Sequence, residues 1–282
     1  MGALMKSERK IGNYLNWALG YVGLQLCRKS ALDRHTIRGS LEHAKRLGLD
    51  PKTVIDVGVG TGTFELYDSF PDARHILIEP LEEYKPVLLK IVSRMKNAEY
   101  IIAAAADKSG NLTINVHRDL VGSSLYMEYE GRDVDGLQRT VSSITLDELY
   151  KERRLEGPCL IKVDVQGAEL DVLAGAILIL KETDYVVLEV SLMGFFIGGP
   201  QIYDVVKFMK ERGFVVSDIL DYAYRPLDNS MSQVDMAFVK ESGRFRTDHS
   251  FATKLQREVS HTRPTGGKKH SQVAHQFRQR QL

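Results

Sequence analysis

The stretch Val54–Thr63 reads VIDVGVGTGT: a short apolar run with one acid, followed by glycines at three alternate positions. Glycine adopts backbone conformations that other residues avoid, so this spacing predicts a tight loop that follows a buried strand. Such a loop can bring the backbone close to a bound ligand, and several classes of nucleotide site use one. Identifying the ligand that this loop binds would therefore indicate both the fold class and the function.

Residues around the loop argue against two of those classes. The phosphate-loop pattern needs a Gly-Lys pair, which does not follow here. The dinucleotide pattern G-x-G-x-x-G fits Gly58 and Gly60 but meets Thr63 where its third glycine should stand. Asp56 precedes the first glycine by two positions, and its carboxylate would repel a pyrophosphate. The loop suits a ligand with cationic groups, and a turn whose glycines serve geometry alone stays as the alternative.

The rest of the central chain alternates short apolar runs with helical stretches, which predicts a doubly wound α/β fold with a mostly parallel sheet. Two late strands have no room for a helix between them, so we expect an antiparallel hairpin at one edge of the sheet. The predicted strands are 53–57, 75–79, 100–105, 111–117, 139–144, 159–165, 185–190, 214–220 and 233–240, and the predicted helices are 35–48, 63–69, 81–95, 145–154, 168–181 and 201–212.

Charge divides the chain into three parts. Residues 1–50 hold nine basic and four acidic side chains, and residues 244–282 hold nine and two, although the whole chain has a net charge of +1. We therefore predict a helical extension over 1–50, a catalytic domain over 51–242 and a basic, disordered tail over 243–282. Basic ends on an acidic body suggest weak contact with an anionic membrane surface. Solubilising ends with no partner are the alternative.

Nothing in the sequence predicts a membrane span or a disulfide framework. The apolar run 15–27 has 13 residues, short of the roughly 18 that a span needs, and no A-x-A cleavage pattern follows it. Apolar residues from Ile11 to Leu26 share one helical face, which predicts a helix docked on the domain. Cys27 and Cys159 are too far apart in sequence to suggest a metal site. We expect a cytoplasmic protein, with peripheral membrane contact as the alternative.

Two more acids fit a nucleoside ligand. Glu79 ends the strand that follows the glycine loop, where its carboxylate could accept hydrogen bonds from both ribose hydroxyls. A helix N-terminal residue before Pro80 is the alternative. Asp107 follows the third strand and could reach the adenine amino group, or could form a plain turn.

Several motifs together carry a family resemblance. The pattern Asp-x-Gly-x-Gly-x-Gly at 56–62 resembles the first motif of class I S-adenosylmethionine-dependent methyltransferases. The stretch 160–176 reads LIKVDVQGAELDVLAGA and resembles the FkbM family of methyltransferases in particular. The same resemblance extends over about 35–240 and includes TVIDVGVGTGTF (53–64), LIEP (77–80), GSSL (122–125) and TLDEL (145–149).

The resemblance implies a seven-stranded, Rossmann-like class I fold, S-adenosyl-L-methionine as cofactor, and O-methylation of a hydroxyl on a sugar, glycan or natural-product glycoside. It also implies that Gly58, Gly60 and Gly62 bring the loop close to the cofactor, and that Asp56 anchors the loop and the cofactor's amino group. One common form of the family has Glu where this chain has Gln166. An obligatory charge at that position is therefore not expected.

Catalytic candidates follow from the sheet. Ligands of open α/β sheets bind outside the carboxyl ends of the strands, where Asp56, Glu79, Asp164 and Glu189 are all expected to lie. A hydroxyl must lose its proton during methyl transfer, so a base is needed. Asp164 is the first candidate, and Glu189 and His117 are the other two. A Mg²⁺ ion held by Asp164 and Glu189 is an alternative, although no metal is predicted.

Rival functions fit the residues less well. Amino-directed nucleic-acid methyltransferases usually carry an Asp/Asn-Pro-Pro-aromatic motif, whereas this chain has Asp164-Val165-Gln166-Gly167. Cys159 follows a proline, as the nucleophile of cytosine enzymes often does, but it starts its strand and faces away from the crevice. We expect a small-molecule or glycan substrate and no nucleic-acid substrate. A non-catalytic nucleotide-binding protein of the same fold, or a methyltransferase for another acceptor, remains open.

Overall fold

The computed structural model describes residues 34–261. The helix predicted over 11–26 and Cys27 lie outside the described residues. Between residues 34 and 261, no helix has the length and apolar character needed to cross a membrane.

Over residues 34–261, ten strands form two sheets, and short helices connect them. The strands are β1 (Thr53–Val57), β2 (Arg74–Glu79), β3 (Ala98–Ile102), β4 (Ala104–Ala105), β5 (Gly110–Val116), β6 (Leu137–Ile144), β7 (Cys159–Val163), β8 (Thr183–Ser191), β9 (Phe214–Tyr224) and β10 (Met231–Lys240). The α-helices are α1 (Ile37–Arg46), α2 (Phe64–Ser69), α3 (Lys85–Val92), α4 (Arg132–Asp135), α5 (Leu146–Glu152), α6 (Glu169–Ala174), α7 (Ile202–Glu211) and α8 (Lys254–His261). Single 3-10 turns cover Glu82–Tyr84, Ile179–Glu182 and Arg244–Arg246.

The large sheet has seven strands in the order β3-β2-β1-β7-β8-β10-β9. β10 runs antiparallel to both β8 and β9, and the other neighbours are parallel. This arrangement confirms the predicted doubly wound fold with an antiparallel hairpin at one edge. The strand order reverses beside β1, which pairs with β2 on one side and β7 on the other. The carboxyl ends of these strands therefore border one crevice, as is general for such sheets.

The sheet is buried on both faces because alternate residues of each strand point to opposite sides. Ile55 and Ile161 belong to the cluster that packs against α6 and α7, and Val54 and Leu160 belong to the cluster that packs against α1, α2 and α3. All five residues of β1 and of β7 are buried. Continuous apolar strands are typical of such a two-sided core.

A smaller sheet covers the crevice. Its strand order is β4-β6-β5, and it is formed by the segment between β3 and α5. An isolated bridge joins Glu128 of this segment to Phe196 in the loop after β8. The insertion that the sequence analysis predicts as extra strands at 111–117 and 139–144 thus lies over the crevice.

Three predicted elements differ from the structure. The strand predicted over 100–105 is interrupted at residue 103, so that β3 pairs in the large sheet and β4 in the small one. The helix predicted over 168–181 ends at Ala174. Gly175 lies so close to the backbone after β4 that a Cβ at this position would be 2.1 Å from the carbonyl oxygen of Ala106. The helix predicted over 81–95 begins as a 3-10 turn and ends at Val92.

The two terminal regions also differ from the predicted division at residues 50 and 242. Leu41 of α1 is fully buried, so this helix packs as part of the domain core. Residues 243–261, predicted to be disordered, carry a 3-10 turn and α8. Phe245 packs edge-on against Tyr185, and Arg244 donates a hydrogen bond to the carbonyl oxygen of Gly48. Apolar and polar contacts therefore attach residues 244–246 to the domain.

Candidate active site

A cavity of about 360 Å³ opens at the carboxyl ends of β1, β2, β7 and β8. Its floor is the glycine loop, and its cover is the small sheet. One end is acidic, with Asp164 and Glu189, and the other end is mostly apolar. The lining residues comprise Val57–Thr63, Ile78–Leu81, Tyr84, Ala104, Ala105, Leu112, Ile114, Leu120, Val121, Ser123–Leu125, Lys162, Asp164–Gln166, Ala168 and Glu189.

The glycines of the loop serve different purposes. A Cβ at Gly58, where φ is +75°, would lie 1.7 Å from the backbone oxygen of Asp164. Gly58 is therefore required for the packing of the loop against the end of β7. At Gly60, where φ is +51°, a Cβ would meet nothing within 4 Å. The loop thus leaves open space at Gly60, where a ligand can approach the backbone.

Glu79 holds the loop and borders the cavity. One carboxylate oxygen accepts a hydrogen bond from the Gly60 N–H at 2.9 Å, and the other accepts one from the Leu81 N–H at 3.0 Å. Burial raises the pKa of Glu79, and these two N–H donors act against that rise. Each oxygen keeps a second lone pair that can accept a ribose hydroxyl.

Asp56 lies beneath the loop and not among the lining residues. Its carboxylate accepts hydrogen bonds from the Tyr67 hydroxyl at 2.5 Å and the Thr63 hydroxyl at 3.3 Å. Burial raises the pKa of this fully buried acid, and the nearby Lys162 charge opposes the rise. The structure thus gives Asp56 an anchoring contact with the loop. Its predicted contact with the cofactor's amino group stays a prediction.

The apolar end of the cavity suits the ring of a nucleobase, because apolar and aromatic side chains form its walls. Leu81, Tyr84, Ala104, Leu112 and Ile114 line it. Asp107, predicted to reach an adenine amino group, does not line the cavity. Its side chain is half exposed, in the turn between β4 and β5.

Lys162 is the functional residue that the sequence analysis missed. Its side chain is 6% exposed, and its ammonium lies 2.9 Å from Asp164 and 3.8 Å from Asp56. Burial alone would lower the pKa of Lys162, but the charges of Asp164 and Asp56 outweigh it and raise the pKa. The register of the sheet places Lys162 directly beside Asp56 on the adjacent strand. A lysine within an otherwise apolar strand was the available signal.

Asp164, Gln166 and Glu189 form the acidic end of the cavity. The Gln166 side-chain amide donates to Asp164 Oδ1 at 3.3 Å and to Glu189 Oε2 at 2.8 Å. Lys162 donates to the other oxygen of Asp164. Burial and the nearby charge of Asp164 raise the pKa of Glu189 to about 9. Glu189 therefore carries a proton at neutral pH.

His117 does not join this group. It is buried outside the cavity lining, and its ring packs against Gly122, where a Cβ would lie 2.4 Å from Nδ1. Its Nε2 lies 3.4 Å from a carboxylate oxygen of Glu128. The predicted catalytic role of His117 has no contact with the cavity to support it. Ser124 does reach the site, since its hydroxyl donates to the backbone oxygen of Gln166 at 2.6 Å.

The geometry gives no support to the Mg²⁺ alternative. Within the described chain, no group of three or more His, Cys, Asp or Glu side chains could hold a metal ion.

Cys159 begins β7, at the end of that strand away from the cavity. It is fully buried, and burial raises its pKa to about 12. It has the features of a core thiol and not of a nucleophile.

These residues fit S-adenosylmethionine. Within the described part of the chain, Lys162 is the single basic side chain that lines the cavity, and acids pair with it on two sides. The cavity therefore offers no free cation to a phosphate. It offers Glu79 to a ribose, open space at Gly60 and an apolar end to a base, and these features suit a phosphate-free nucleoside.

Solved structures to which this chain is similar include two methyltransferases. The chain is similar to precorrin-6y C5,15-methyltransferase from Geobacter metallireducens GS-15, with 13% identity, a TM-score of 0.41, and 76% of this chain and 93% of that chain covered. It is also similar to magnesium protoporphyrin IX methyltransferase from Synechocystis PCC 6803, solved with bound SAM, with 11% identity, a TM-score of 0.41, and coverages of 72% and 76%. No curated protein matches the sequence.

The fold and the cavity define a class I methyltransferase. A family model described as the methyltransferase FkbM domain matches residues 56–216, which is more than half of the chain. The protein belongs to the FkbM methyltransferase family, and its cofactor is S-adenosylmethionine.

Proposed function

We propose that the protein methylates a hydroxyl group of a sugar, glycan or natural-product glycoside, with Asp164 as the residue that accepts the hydroxyl proton. The observation that supports this proposal is the position of Asp164. It lines the cavity with a side chain that is 31% exposed, so an acceptor can reach it. Its neighbours Lys162 and Gln166 fix the orientation of its carboxylate.

The chemistry requires the acceptor oxygen to lose its proton. When bound, S-adenosylmethionine supplies an electrophilic methyl group, and the electron pair of the carbon–sulfur bond stays on sulfur as the acceptor oxygen forms the new bond. Asp164 takes the hydroxyl proton, as a general base does at a distance of one hydrogen bond. The Lys162 charge lies next to Asp164 and stabilises negative charge that develops on the acceptor oxygen.

The cavity also suits a small acceptor group. Leu120, Val121 and Leu125, in the loop that follows β5, line the cavity and give its cover an apolar surface. A sugar or glycoside hydroxyl can enter such a covered site with its ring against the apolar cover. We include free glycosides and glycan ends in the proposal, and no nucleic acid.

Transfer of a labelled methyl group from S-adenosylmethionine tests the proposal. A panel of glycosides, oligosaccharides and hydroxylated natural products serves as acceptors, with amines as the comparison. We expect label in an ether product. Label in amines alone would contradict the proposal.

Asp164→Asn tests the role of the base. We expect kcat to fall by about 10²–10⁴-fold, while calorimetry shows S-adenosylhomocysteine binding within threefold of the unaltered protein. Asp72→Asn is the matched control, because Asp72 is exposed and pairs only with exposed Lys96. Unchanged turnover in Asp164→Asn would remove Asp164 from the chemistry.

A further inference from the structure

One oxygen of the Glu189 carboxyl group accepts two hydrogen bonds from the part of the chain that the structure describes, and the other accepts none from it. Oε2 accepts hydrogen bonds from the side-chain amides of Gln166 at 2.8 Å and Gln233 at 3.0 Å. Among the described residues, none donates a hydrogen bond to Oε1, and Oε1 is not enclosed. Glu189 lines the cavity, and Oε1 is the oxygen of this carboxyl that no group of the described chain engages.

The two amides also decide which oxygen carries the proton. Burial and the charges of Asp164, Glu169 and Asp235 raise the pKa of Glu189 to about 9, so its carboxyl is neutral at pH 7. An oxygen that accepts two N–H groups has no room for a proton of its own. The proton therefore lies on Oε1, and the acid presents an O–H donor to the cavity.

Asp164 and Glu189 are close enough to contact one acceptor together. The Gln166 amide nitrogen bonds to an oxygen of each, so these two oxygens are separated by no more than the sum of its two hydrogen bonds. Asp164 is the hydrogen-bond acceptor of the pair, and Glu189 is the donor. Both carboxyl groups also line the same cavity, so an acceptor with oxygens on neighbouring carbons can meet one group with each oxygen.

We propose that Glu189 is a specificity-determining residue: its neutral carboxylic acid donates a hydrogen bond to a second oxygen of the acceptor, beside the hydroxyl that faces Asp164. The acceptor class is then a 1,2-diol or an α-hydroxy carbonyl compound. This inference rests on the proposed function. An acceptor without the second oxygen leaves the Glu189 O–H without a partner, which a buried polar site tolerates poorly.

Matched acceptors test this inference. The probes are the best hydroxyl acceptor from the labelled-methyl panel and its derivative in which the neighbouring oxygen is replaced by hydrogen. We expect kcat/KM to be about 10- to 100-fold lower for the derivative. Equal values would overturn the inference and leave the proposed function intact. If no hydroxyl compound is methylated, the proposed function itself fails.

Two substitutions separate donor from base. Glu189→Gln is neutral and still presents an N–H donor to the cavity, so we expect it to keep the kcat/KM preference for the acceptor with the second oxygen. Glu189→Leu removes the donor, so we expect the two acceptors to become equivalent. Binding of S-adenosylhomocysteine, measured by calorimetry, checks that both variants are folded. A loss of turnover as large in Glu189→Gln as in Glu189→Leu would mean that the ionised acid is needed.

The pH dependence gives an independent readout. Above pH about 9, Glu189 loses the proton that it donates, so we expect KM for the acceptor to rise in the unaltered protein. In Glu189→Gln the same KM stays flat over this pH range, because an amide does not ionise there. A rise that persists in Glu189→Gln would assign the alkaline limb to another group and overturn the inference.

Discussion

The two ends of the cavity are built in different ways. At the cofactor end, backbone groups make the contacts: the N–H groups of Gly60 and Leu81 bond to Glu79. At the acceptor end, side chains hold one another, as the amides of Gln166 and Gln233 do with Glu189. A backbone framework needs glycines at fixed positions in a short segment. A side-chain framework needs residues from strands that are distant in the sequence.

Lys162 joins the two ends, so its removal should have the largest effect. Lys162→Met leaves the buried Asp56 and the adjacent Asp164 without a cation. We expect the free energy of unfolding to fall by about 3–5 kcal/mol, measured by urea denaturation at pH 7. The second substitution Asp56→Asn in the same chain removes one of the two stranded charges and should restore part of the stability. If Asp56→Asn does not raise the free energy of unfolding of Lys162→Met, the two ends are electrostatically independent.

Gly58→Ala and Gly60→Ala compare a glycine that packs against the backbone with a glycine that faces open space. Gly58→Ala puts a Cβ against the backbone oxygen of Asp164, and we expect a loss of about 2–4 kcal/mol in the free energy of unfolding. Gly60→Ala meets no atom and keeps only the cost of its left-handed backbone, about 1 kcal/mol. Urea denaturation of both variants measures the difference. Equal losses would contradict the distinct roles assigned to the two glycines.

Glu79→Gln should affect the cofactor end alone. One oxygen of the carboxylate becomes an N–H₂ group, so a backbone N–H of the loop or a ribose hydroxyl loses its acceptor. We expect the Kd of S-adenosylhomocysteine to rise about tenfold, measured by calorimetry, with kcat at saturating cofactor within twofold. Glu83→Gln is the control, since Glu83 is exposed and pairs with Arg139. A large fall in kcat would couple the two ends.

The same contrast explains what could be predicted from the sequence. The cofactor end lies in the local run from Thr53 to Glu79, where β1, the glycine loop and the acid that ends β2 are read from neighbouring residues. Asp107 and His117 were predicted from their closeness in sequence to strand ends. The structure places them away from the cavity, because the chain beyond β3 enters the small sheet and its connecting loops.

The acceptor end depends on which strands lie side by side, and no local run of sequence specifies that β7 pairs with β1 or β10 with β8. Lys162 reads as an interruption in an apolar strand until the pairing of β7 with β1 sets it beside Asp56. Gln233 comes from the edge hairpin, and its contact with Glu189 requires the antiparallel pairing of β10 with β8. Asp164 and Glu189 were predicted as strand-end acids, but the raised pKa of Glu189 follows only from its surroundings.

The identity of residue 166 determines how many carboxyl groups meet at the acidic end of the cavity. The Gln166 amide stands between two acids and donates a hydrogen bond to each. A glutamate at this position would be a third carboxyl in contact with Asp164 and Glu189, and mutual repulsion would favour the protonated form of at least one of the three. Glutamine occupies the position without adding a third acid. The nitrogen of the Gln166 side chain, in place of a second carboxylate oxygen, therefore makes this residue a hydrogen-bond donor to both acids.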